Sequence, residues 1–347
     1  MCEATRRKFL AGSAAFLMAA TEEELMADAA YSARGATLDI DKVETIAPDI
    51  FFHEGDLGKG HCNNGWIVLE DYVLLIDANF PSGAQVILPK IRAITDKPIR
   101  FAFDTHHHGD HAYGNQFWAE QGAVPIAHAG VVEEMKKYET GYYGGKPGRW
   151  ENSAKSRSDV QNSKLKPPSL LFPRELIFDD GKHHVELLYL GVAHTHGDAF
   201  AWLPKEKILF GGDACVNGPY NFVGDGNVEQ WVKTLESAHK LGALYLCPGH
   251  GPMGSGAIVE DQLAFFKALR EQVGRVMSRL SPEEAQKAVD KVREPLQASK
   301  QISRYVGNPF PAQAEKVYTE MTGKKFPASK ASTDQARLLH AKAHGLA

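Results

Sequence analysis

His106-His107-His108-Gly109-Asp110-His111 begins two residues after a short apolar run that ends at Asp104 and predicts a β-strand. In an extended chain, residues two apart point to the same side, so His106, His108 and Asp110 can converge, with His111 following on a turn. Imidazoles and a carboxylate that converge at a strand end are ligands that zinc accepts. Four histidines and one aspartate within six residues therefore predict a metal site more strongly than a polar loop tip.

Three later motifs supply further candidate ligands, each near the end of a predicted strand. The glycines in these motifs allow close backbone approach and unusual dihedral angles. Taken alone, Pro-Gly-His-Gly is only a turn that carries a histidine, so the order of the motifs along the chain gives the set its specificity. The motifs are His194-Thr195-His196-Gly197-Asp198, Gly211-Gly212-Asp213 and Pro248-Gly249-His250-Gly251.

Predicted strands and helices alternate through the first two thirds of the chain, which indicates a mixed α/β domain. From Ile258 onward the pattern is helical and predicts a C-terminal extension. Residues 141–169 differ from both parts, because they are rich in glycine, proline and charge. This composition predicts a long surface excursion. Its aromatic residues would either cover an apolar substrate or pack as ordinary surface; they are Tyr142, Tyr143 and Trp150.

The composition excludes several classes of protein. The chain has 347 residues, of which 43% are hydrophobic and 24% charged, so it is neither disordered nor a polytopic membrane protein. A formal net charge of −4 argues against electrostatic binding of nucleic acid. Four cysteines cannot form a disulfide scaffold in a chain of this length. We therefore expect a small-molecule substrate and no nucleic-acid partner, while the oligomeric state is left open.

The N-terminus resembles a secretory signal. Arg6-Arg7-Lys8 precede a short apolar stretch that ends at Ala20, and the paired arginines resemble a twin-arginine signal. The apolar stretch is too short to span a bilayer as a helix. Residues 1–29 are therefore predicted to be a twin-arginine-type signal peptide, which implies a periplasmic protein without a membrane span in the mature chain. Removal of this segment leaves three cysteines, so at least one would be a free thiol or form an intermolecular bridge; they are Cys62, Cys215 and Cys247.

The ordered motifs resemble those of the metallo-β-lactamase superfamily. The resemblance rests on the H-x-H-x-D-H run, Ala-His-Thr, Gly-Gly-Asp and Pro-Gly-His, and it covers roughly residues 43–256. It implies a four-layered αββα sandwich with a dinuclear metal site at one edge. The chain would then divide into a signal peptide (1–29), a metallo-β-lactamase-like domain (30–256) and a C-terminal helical extension (257–347).

The resemblance also implies a ligand set for two Zn²⁺ ions per chain. His106, His108 and His194 would hold the first zinc, and Asp213 would bridge the pair. The second zinc would be held by Asp110, His111 and His250. His194 and His196 compete for one position; His194 is preferred because it lies ten residues before Pro204, as the family's ligand does relative to its proline.

A further segment, Gly224–Trp231, resembles the Gly-Asp-x-Asn-Val-Glu-x-Trp segment of true β-lactamases that use a cysteine ligand. Two positions depart from those enzymes. Asp213 stands in place of the cysteine, as in glyoxalase II-like hydrolases. Val216 stands where a lysine usually grips the β-lactam carboxylate, which puts efficient lactam binding in doubt. Cys215 is expected to be a buried small residue and not a ligand.

These features predict an exported dinuclear zinc hydrolase that cleaves an amide, lactam, ester or thioester bond with a metal-bound hydroxide. Asp110 is the candidate catalytic residue that orients the nucleophile and passes on its proton. Trp66, His196 and Asn227 are candidate substrate contacts. Three alternatives stay open: a working β-lactamase, an iron-dependent persulfide oxidoreductase of the same fold, and a non-catalytic metal-binding protein.

Overall fold

The computed structural model describes residues 42–136 and 148–327. The predicted signal peptide, Tyr142 and Tyr143 lie outside these residues. Two sheets form the centre of the described part. The first sheet has the spatial order β1 to β7, with antiparallel pairing from β1 to β4 and parallel pairing from β4 to β7. Its strands are β1 (Val43–Ala47), β2 (Ile50–His53), β3 (Asn64–Val68), β4 (Val73–Ile76), β5 (Ile99–Asp104), β6 (Val124–His128) and β7 (Leu170–Phe172).

The second sheet has the spatial order β13-β12-β11-β10-β9-β8. Only the β11–β12 pair is parallel, and the other pairs are antiparallel. Its strands are β8 (Glu175–Asp179), β9 (His184–Leu188), β10 (Phe200–Leu203), β11 (Ile208–Gly212), β12 (Tyr245–Pro248) and β13 (Gly254–Ser255).

The described helices cover the outer faces of the two sheets. Short 3₁₀ turns lie at Leu57–Lys59 and Ser303–Tyr305. The α-helices are α1 (Pro81–Arg92), α2 (Gly109–Ala112), α3 (Asn115–Glu120), α4 (Ala129–Met135), α5 (Arg149–Ala154), α6 (Ser158–Gln161), α7 (Val228–His239), α8 (Ala257–Val276), α9 (Pro282–Lys287), α10 (Val289–Ala298) and α11 (Phe310–Thr322).

Three apolar layers hold the sandwich together. One fills the space between the sheets and includes Phe103 and Phe210. A second packs α1 and α3 on the first sheet around Trp66. The third packs α7 and the C-terminal helices on the second sheet around Trp231. Strands covered on both faces in this way are expected to be continuously apolar, as the fully buried β4 and β10 are.

The predicted αββα sandwich with C-terminal helices is confirmed. The C-terminal extension contributes to the core, because Phe265, Phe266 and Leu269 of α8 are fully buried beneath the second sheet. Their spacing places them on one helical face. No helix in the described part of the chain is both long and apolar enough to cross a membrane.

Helix α1 begins at Pro81 and continues past Pro89 to Arg92. In its first turn, the Ser82 hydroxyl donates to Asp159 Oδ2 at 2.6 Å. In addition, the described part of the 141–169 excursion contains two short helices, α5 and α6, and its Trp150 packs against Tyr113 with ring centroids 4.6 Å apart.

His128 joins three elements beside the excursion. Its Nδ1 accepts a hydrogen bond from Gly130 N and so caps α4, and its Nε2 donates to Pro173 O at 3.1 Å. The ring stacks on Tyr189 with a centroid distance of 3.9 Å. Burial lowers the pKa of His128 below its usual value, although the bond to Pro173 opposes the shift. The capping role also requires the neutral ring, since a protonated ring has no acceptor.

The pKa of His128 predicts a pH-dependent part of the stability. A histidine whose pKa is lowered by folding stabilises the fold above its unfolded pKa of about 6.5 and loses this contribution as the pH falls below that value. We expect His128→Asn, which retains a capping oxygen, to show a shallower loss of unfolding free energy between pH 7 and pH 5 than the wild type. Urea unfolding at several pH values measures this, with the surface variant His239→Asn as control. The prediction would be contradicted if the free energy of unfolding fell equally with pH in all three proteins.

Candidate metal centre

The candidate ligands lie at one edge of the sandwich because both sheets end there. The segment His106–His111 follows β5 of the first sheet. Asp213 and His250 follow the adjacent parallel strands β11 and β12 of the second sheet, and His194 lies on the loop after β9. Loops at the ends of a rigid sheet can bring side chains together that are far apart in the sequence. The structure brings all seven candidate ligands into two groups.

The first group contains His106, His108 and His194, which we call the first trio. One ligand atom from each, together with a carboxylate oxygen of Asp213, lie within 4.8 Å of one another. His194 Nε2 lies 2.8 Å from His108 Nδ1. The His106 ring centroid lies 4.7 Å from that of His108 and 4.8 Å from that of His194. All three side chains are buried.

The second group contains Asp110, His111 and His250, which we call the second trio. Its ligand atoms also lie within 4.8 Å of one another. Asp110 Oδ2 lies 3.0 Å from His250 Nε2 and 3.5 Å from His111 Nε2. These side chains are buried as well, so the charge of Asp110 lies in a region with little solvent.

Asp213 lies between the two trios. Its Oδ1 is 3.3 Å from His111 Nε2 and 3.5 Å from His250 Nε2, while its Oδ2 is 3.6 Å from His194 Nε2. Gly249 permits this arrangement, because a Cβ atom there would lie 2.1 Å from Asp213 Oδ1. One carboxylate oxygen thus faces each trio, which is the arrangement that a bridging ligand requires.

Hydrogen bonds behind three of the histidines determine which ring nitrogen carries the hydrogen. Each ring contacts an oxygen that can only accept: Asp225 Oδ2 at 2.9 Å from His108 Nε2, Asp77 Oδ2 at 2.9 Å from His111 Nδ1, and Phe222 O at 2.7 Å from His194 Nδ1. The nitrogen in each contact is therefore the donor. In the neutral ring the opposite nitrogen is then an unprotonated acceptor that faces the centre.

The positions of these ring nitrogens indicate whether the residues suit a metal ion. His108 Nδ1 and His194 Nε2 are then both acceptors, yet they lie 2.8 Å apart. His111 Nε2 faces the carboxylates of Asp110 and Asp213, whose negative charges help to raise the pKa of this ring although burial opposes the shift. His106 Nε2 is buried with no hydrogen-bond partner. Lone pairs that face one another in a buried site are costly unless a cation lies between them. The donor set therefore fits a site for divalent metal ions of the zinc type.

The acid–base properties of the site agree with this fit. Burial lowers the pKa of His106 and of His194, so both rings are held neutral, as a metal ligand must be. Burial also opposes the charged forms of His250 and of Asp213, but several attractions together outweigh it. Asp213 and Asp110 raise the pKa of His250, while His250 and His111 hold the pKa of Asp213 below its usual value. The opposite charges of Asp213 and the second trio therefore stabilise each other before any ion binds.

Asp77 is a functional residue that sequence reasoning missed. It follows β4 in the left-handed region, with φ 64°, and accepts hydrogen bonds from the Thr105 backbone and hydroxyl at 2.8 and 2.9 Å. These bonds orient the carboxylate that accepts a hydrogen bond from His111 Nδ1. A carboxylate directly after a buried strand that pairs in parallel with β5 was the available signal. Such outer partners orient a ligand and raise its basicity.

Asp225 supports His108 in the same way. Its Oδ2 lies 2.9 Å from His108 Nε2, and both of its oxygens accept from Arg149 at 2.6 Å. Burial opposes ionisation of the carboxyl group, but the hydrogen bonds from His108 and Arg149 hold its pKa well below the usual range. The sequence placed Asp225 in a recognised segment without a role, and nothing in the sequence indicated Arg149.

The three predicted substrate contacts lie in different surroundings. The expectation that Trp66 contacts substrate was wrong: its side chain is fully buried and stacks on Phe51 at 5.6 Å, because β3 turns it towards the helices of the first sheet. Asn227 caps α7 by accepting from Gln230 N at 2.8 Å. The His196 side chain is 56% exposed and lies 3.7 Å from Glu134, outside both trios. Substrate roles for Asn227 and His196 stay predictions.

The described cysteines are Cys62, Cys215 and Cys247, and all are free and buried. The expectation of at least one free thiol is therefore met, and the burial of the three thiols leaves none exposed for an intermolecular bridge. Burial raises the pKa of Cys62 to about 12 even though it lies beside His111. Cys215 is buried as predicted, in the core beneath the second sheet.

The comparison with known proteins agrees with the fold and the site. A family model described as the metallo-beta-lactamase superfamily matches residues 57–250. The metallo-beta-lactamase IND-1 of Chryseobacterium indologenes is 26% identical over 210 residues, which cover 58% of this chain and 76% of that protein. A metallo-beta-lactamase type 2 of Pseudomonas aeruginosa is 26% identical over 218 residues, which cover 59% of this chain and 75% of that protein.

Solved structures show the same fold. The DIM-1 metallo-beta-lactamase aligns with a TM-score of 0.52 at 21% identity, covering 65% of this chain and 96% of its own. A metallo-beta-lactamase from Pontibacter korlensis aligns with a TM-score of 0.53 at 19% identity, covering 65% of this chain and 98% of its own. The fold and the site define a metal-dependent hydrolase. The chain belongs to the metallo-beta-lactamase superfamily.

The positions of His194 and His196 predict opposite outcomes for two matched substitutions. We expect His194→Gln to weaken zinc binding by about 100-fold or more, since it removes a buried member of the first trio and loss of an outer partner alone costs about 10–100-fold. His196→Gln should bind zinc within about two-fold of the wild type, because its ring lies outside both trios. Competition with a chromophoric chelator measures the affinities. Loss of zinc in the His196 variant alone would reverse the assignment.

Proposed function

We propose that the protein is an exported dinuclear zinc hydrolase that cleaves an amide, lactam, ester or thioester bond in a small molecule. The position of Asp213 between the two trios carries the proposal, because it offers one carboxylate oxygen to each. In the proposed site His106, His108 and His194 hold the first ion and Asp110, His111 and His250 the second. When bound, a pair of zinc ions supplies an activated water nucleophile at neutral pH and polarises a carbonyl oxygen.

Asp110 is proposed to orient the nucleophilic water and to hold its proton. Its Oδ2 lies 3.0 Å from His250 Nε2 and 3.5 Å from His111 Nε2, so the carboxylate is held within the second trio. Engagement with a cation lowers the basicity of a carboxylate. The role therefore concerns orientation and short-lived proton transfer more than strong general-base catalysis.

Replacement of Asp110 tests this role. We expect Asp110→Asn, assayed at saturating zinc, to lower kcat by about 10²–10⁴-fold, the usual range for loss of an acid–base group. Chelation of the metal should abolish activity of the wild type, and added zinc should restore it. The control Asp261→Asn, on the far side of α8, should keep kcat within about two-fold. An unchanged kcat in the Asp110 variant would exclude the proposed role of Asp110.

A working β-lactamase is the second candidate, because the relatives with 26% identity are named metallo-beta-lactamases. Val216 weakens this candidate: its side chain is fully buried and apolar, so the position offers no cation for a lactam carboxylate. A panel of lactam, lactone and thioester substrates separates the two. If a chromogenic cephalosporin is hydrolysed no faster than with zinc alone, the β-lactamase function is excluded.

Metal analysis tests which ion the protein binds and whether a non-catalytic role is favoured. Histidine and carboxylate ligands accept iron as well as zinc, so the persulfide oxidoreductase stays a candidate until the metal is known. Elemental analysis of the purified protein distinguishes them: stoichiometric zinc without iron supports the hydrolase. A protein purified without any metal would favour a non-catalytic role.

Export is proposed from Arg6-Arg7 and the apolar stretch that follows. The double variant Arg6→Lys, Arg7→Lys keeps the charge but removes the pair that a twin-arginine signal requires. We expect this variant to accumulate in the cytoplasm as the full-length chain, while the wild type reaches the periplasm and is shortened. Cell fractionation with a C-terminal tag measures both. Export of the variant at the wild-type level would exclude the twin-arginine route.

A further inference from the structure

The excursion between β6 and β7 carries two arginines that each pair with an aspartate. Arg149, at the start of α5, donates to both oxygens of Asp225 at 2.6 Å. Arg157, just before α6, pairs with Asp159 at 3.0 Å, donates to Lys59 O at 2.9 Å and lies 3.7 Å above the Phe80 ring. The two residues resemble each other in chemistry. Arg149 contacts a residue that touches a candidate ligand, whereas these contacts of Arg157 involve no such residue.

Arg149, Asp225 and His108 form a continuous chain of hydrogen bonds. Asp225 Oδ2 accepts from Arg149 at 2.6 Å and from His108 Nε2 at 2.9 Å. The side chains of Arg149 and Asp225 are only 23% and 10% exposed, so solvent screens the pair weakly. A bidentate arginine fixes the plane of a carboxylate, which a single hydrogen bond does not. The plane of Asp225 in turn determines which way His108 presents its Nδ1.

The same contact argues against a third ion nearby. His107, His108 and Asp225 also have ligand atoms within 4.8 Å of one another. Both oxygens of Asp225 already receive the Arg149 guanidinium, however, and a second cation there would be repelled by it. This group is therefore a support for the metal centre and not another site.

We propose that Arg149 is a positioning residue that holds His108 in its metal-binding orientation through Asp225. The helical part of the excursion, residues 148–161, thus helps to position a ligand of the proposed metal centre. The inference rests on the proposed metal site, but the orientation of His108 can be measured without metal.

Zinc affinity tests the proposal in the full-length protein. We expect Arg149→Ala to weaken one zinc equivalent by about 10–100-fold, the range for loss of a partner that orients a ligand. Arg149→Lys should recover part of the loss, and guanidinium at a concentration too low to unfold the protein should recover part of it in the alanine variant. The matched control Arg157→Ala should stay within about two-fold of the wild type. Equal weakening in both alanine variants would overturn the proposal.

A double-mutant cycle tests whether the effect passes through Asp225. If it does, Arg149→Ala should change zinc affinity by less than about two-fold in an Asp225→Asn background, since interacting residues are not additive. A full additive loss in that background would show that Arg149 acts by another route, and would contradict the proposal.

The tautomer of His108 supplies a readout that needs no metal. In metal-free protein labelled with ¹⁵N-histidine, His108 should have its hydrogen on Nε2, with the signal assigned by its absence in His108→Gln. Arg149→Ala should shift it towards a mixture of both tautomers, and Arg157→Ala should not. If the wild type bound no zinc, the proposed function would fail while this measurement still decided the role of Arg149. An unchanged tautomer in Arg149→Ala would overturn it.

Discussion

Three buried histidines at one edge of the sandwich each donate their ring hydrogen to an acceptor behind them. His108 donates to Asp225, His111 to Asp77 and His194 to the Phe222 carbonyl. The opposite nitrogens of His108 and His194 are left as acceptors that lie 2.8 Å apart. Two buried acceptors that face each other destabilise a fold, and a cation between them removes that cost. The outer partners thus prepare the site before an ion arrives.

This constraint explains why loops from both sheets must meet at the same edge. The first sheet supplies the His106–His111 segment, and the second supplies Asp213 and His250 from the adjacent strands β11 and β12. The space between the sheets is filled by apolar side chains, which fix the distance between the two sets of loops. A close-packed interior transmits small changes of volume. Core substitutions far from the metal centre are therefore expected to disturb it.

The residues that orient the candidate ligands come from parts of the chain outside the ligand motifs. Asp77 orients His111 from the end of β4, with Thr105 orienting Asp77. Arg149 reaches Asp225 from the excursion, which lies outside the two sheets. The C-terminal helices also pack beneath the second sheet, although the matched family region ends at His250, before α8 begins. In this chain the helices that cover the second sheet thus extend beyond the matched family region.

The sequence by itself predicted the fold and the candidate ligands, because each candidate ligand lies in a short motif whose residues are close along the chain. Spacing of two in an extended segment makes His106 and His108 converge whatever surrounds them. The sequence could not determine the surroundings of each residue. Trp66 was expected to contact substrate but is buried, since the face that a strand turns to the core depends on how the sheet packs. Arg149 and Asp225 are 76 residues apart, and no local pattern connects them. Only the tertiary structure decided that contact, because it depends on where the excursion packs against the edge of the sandwich.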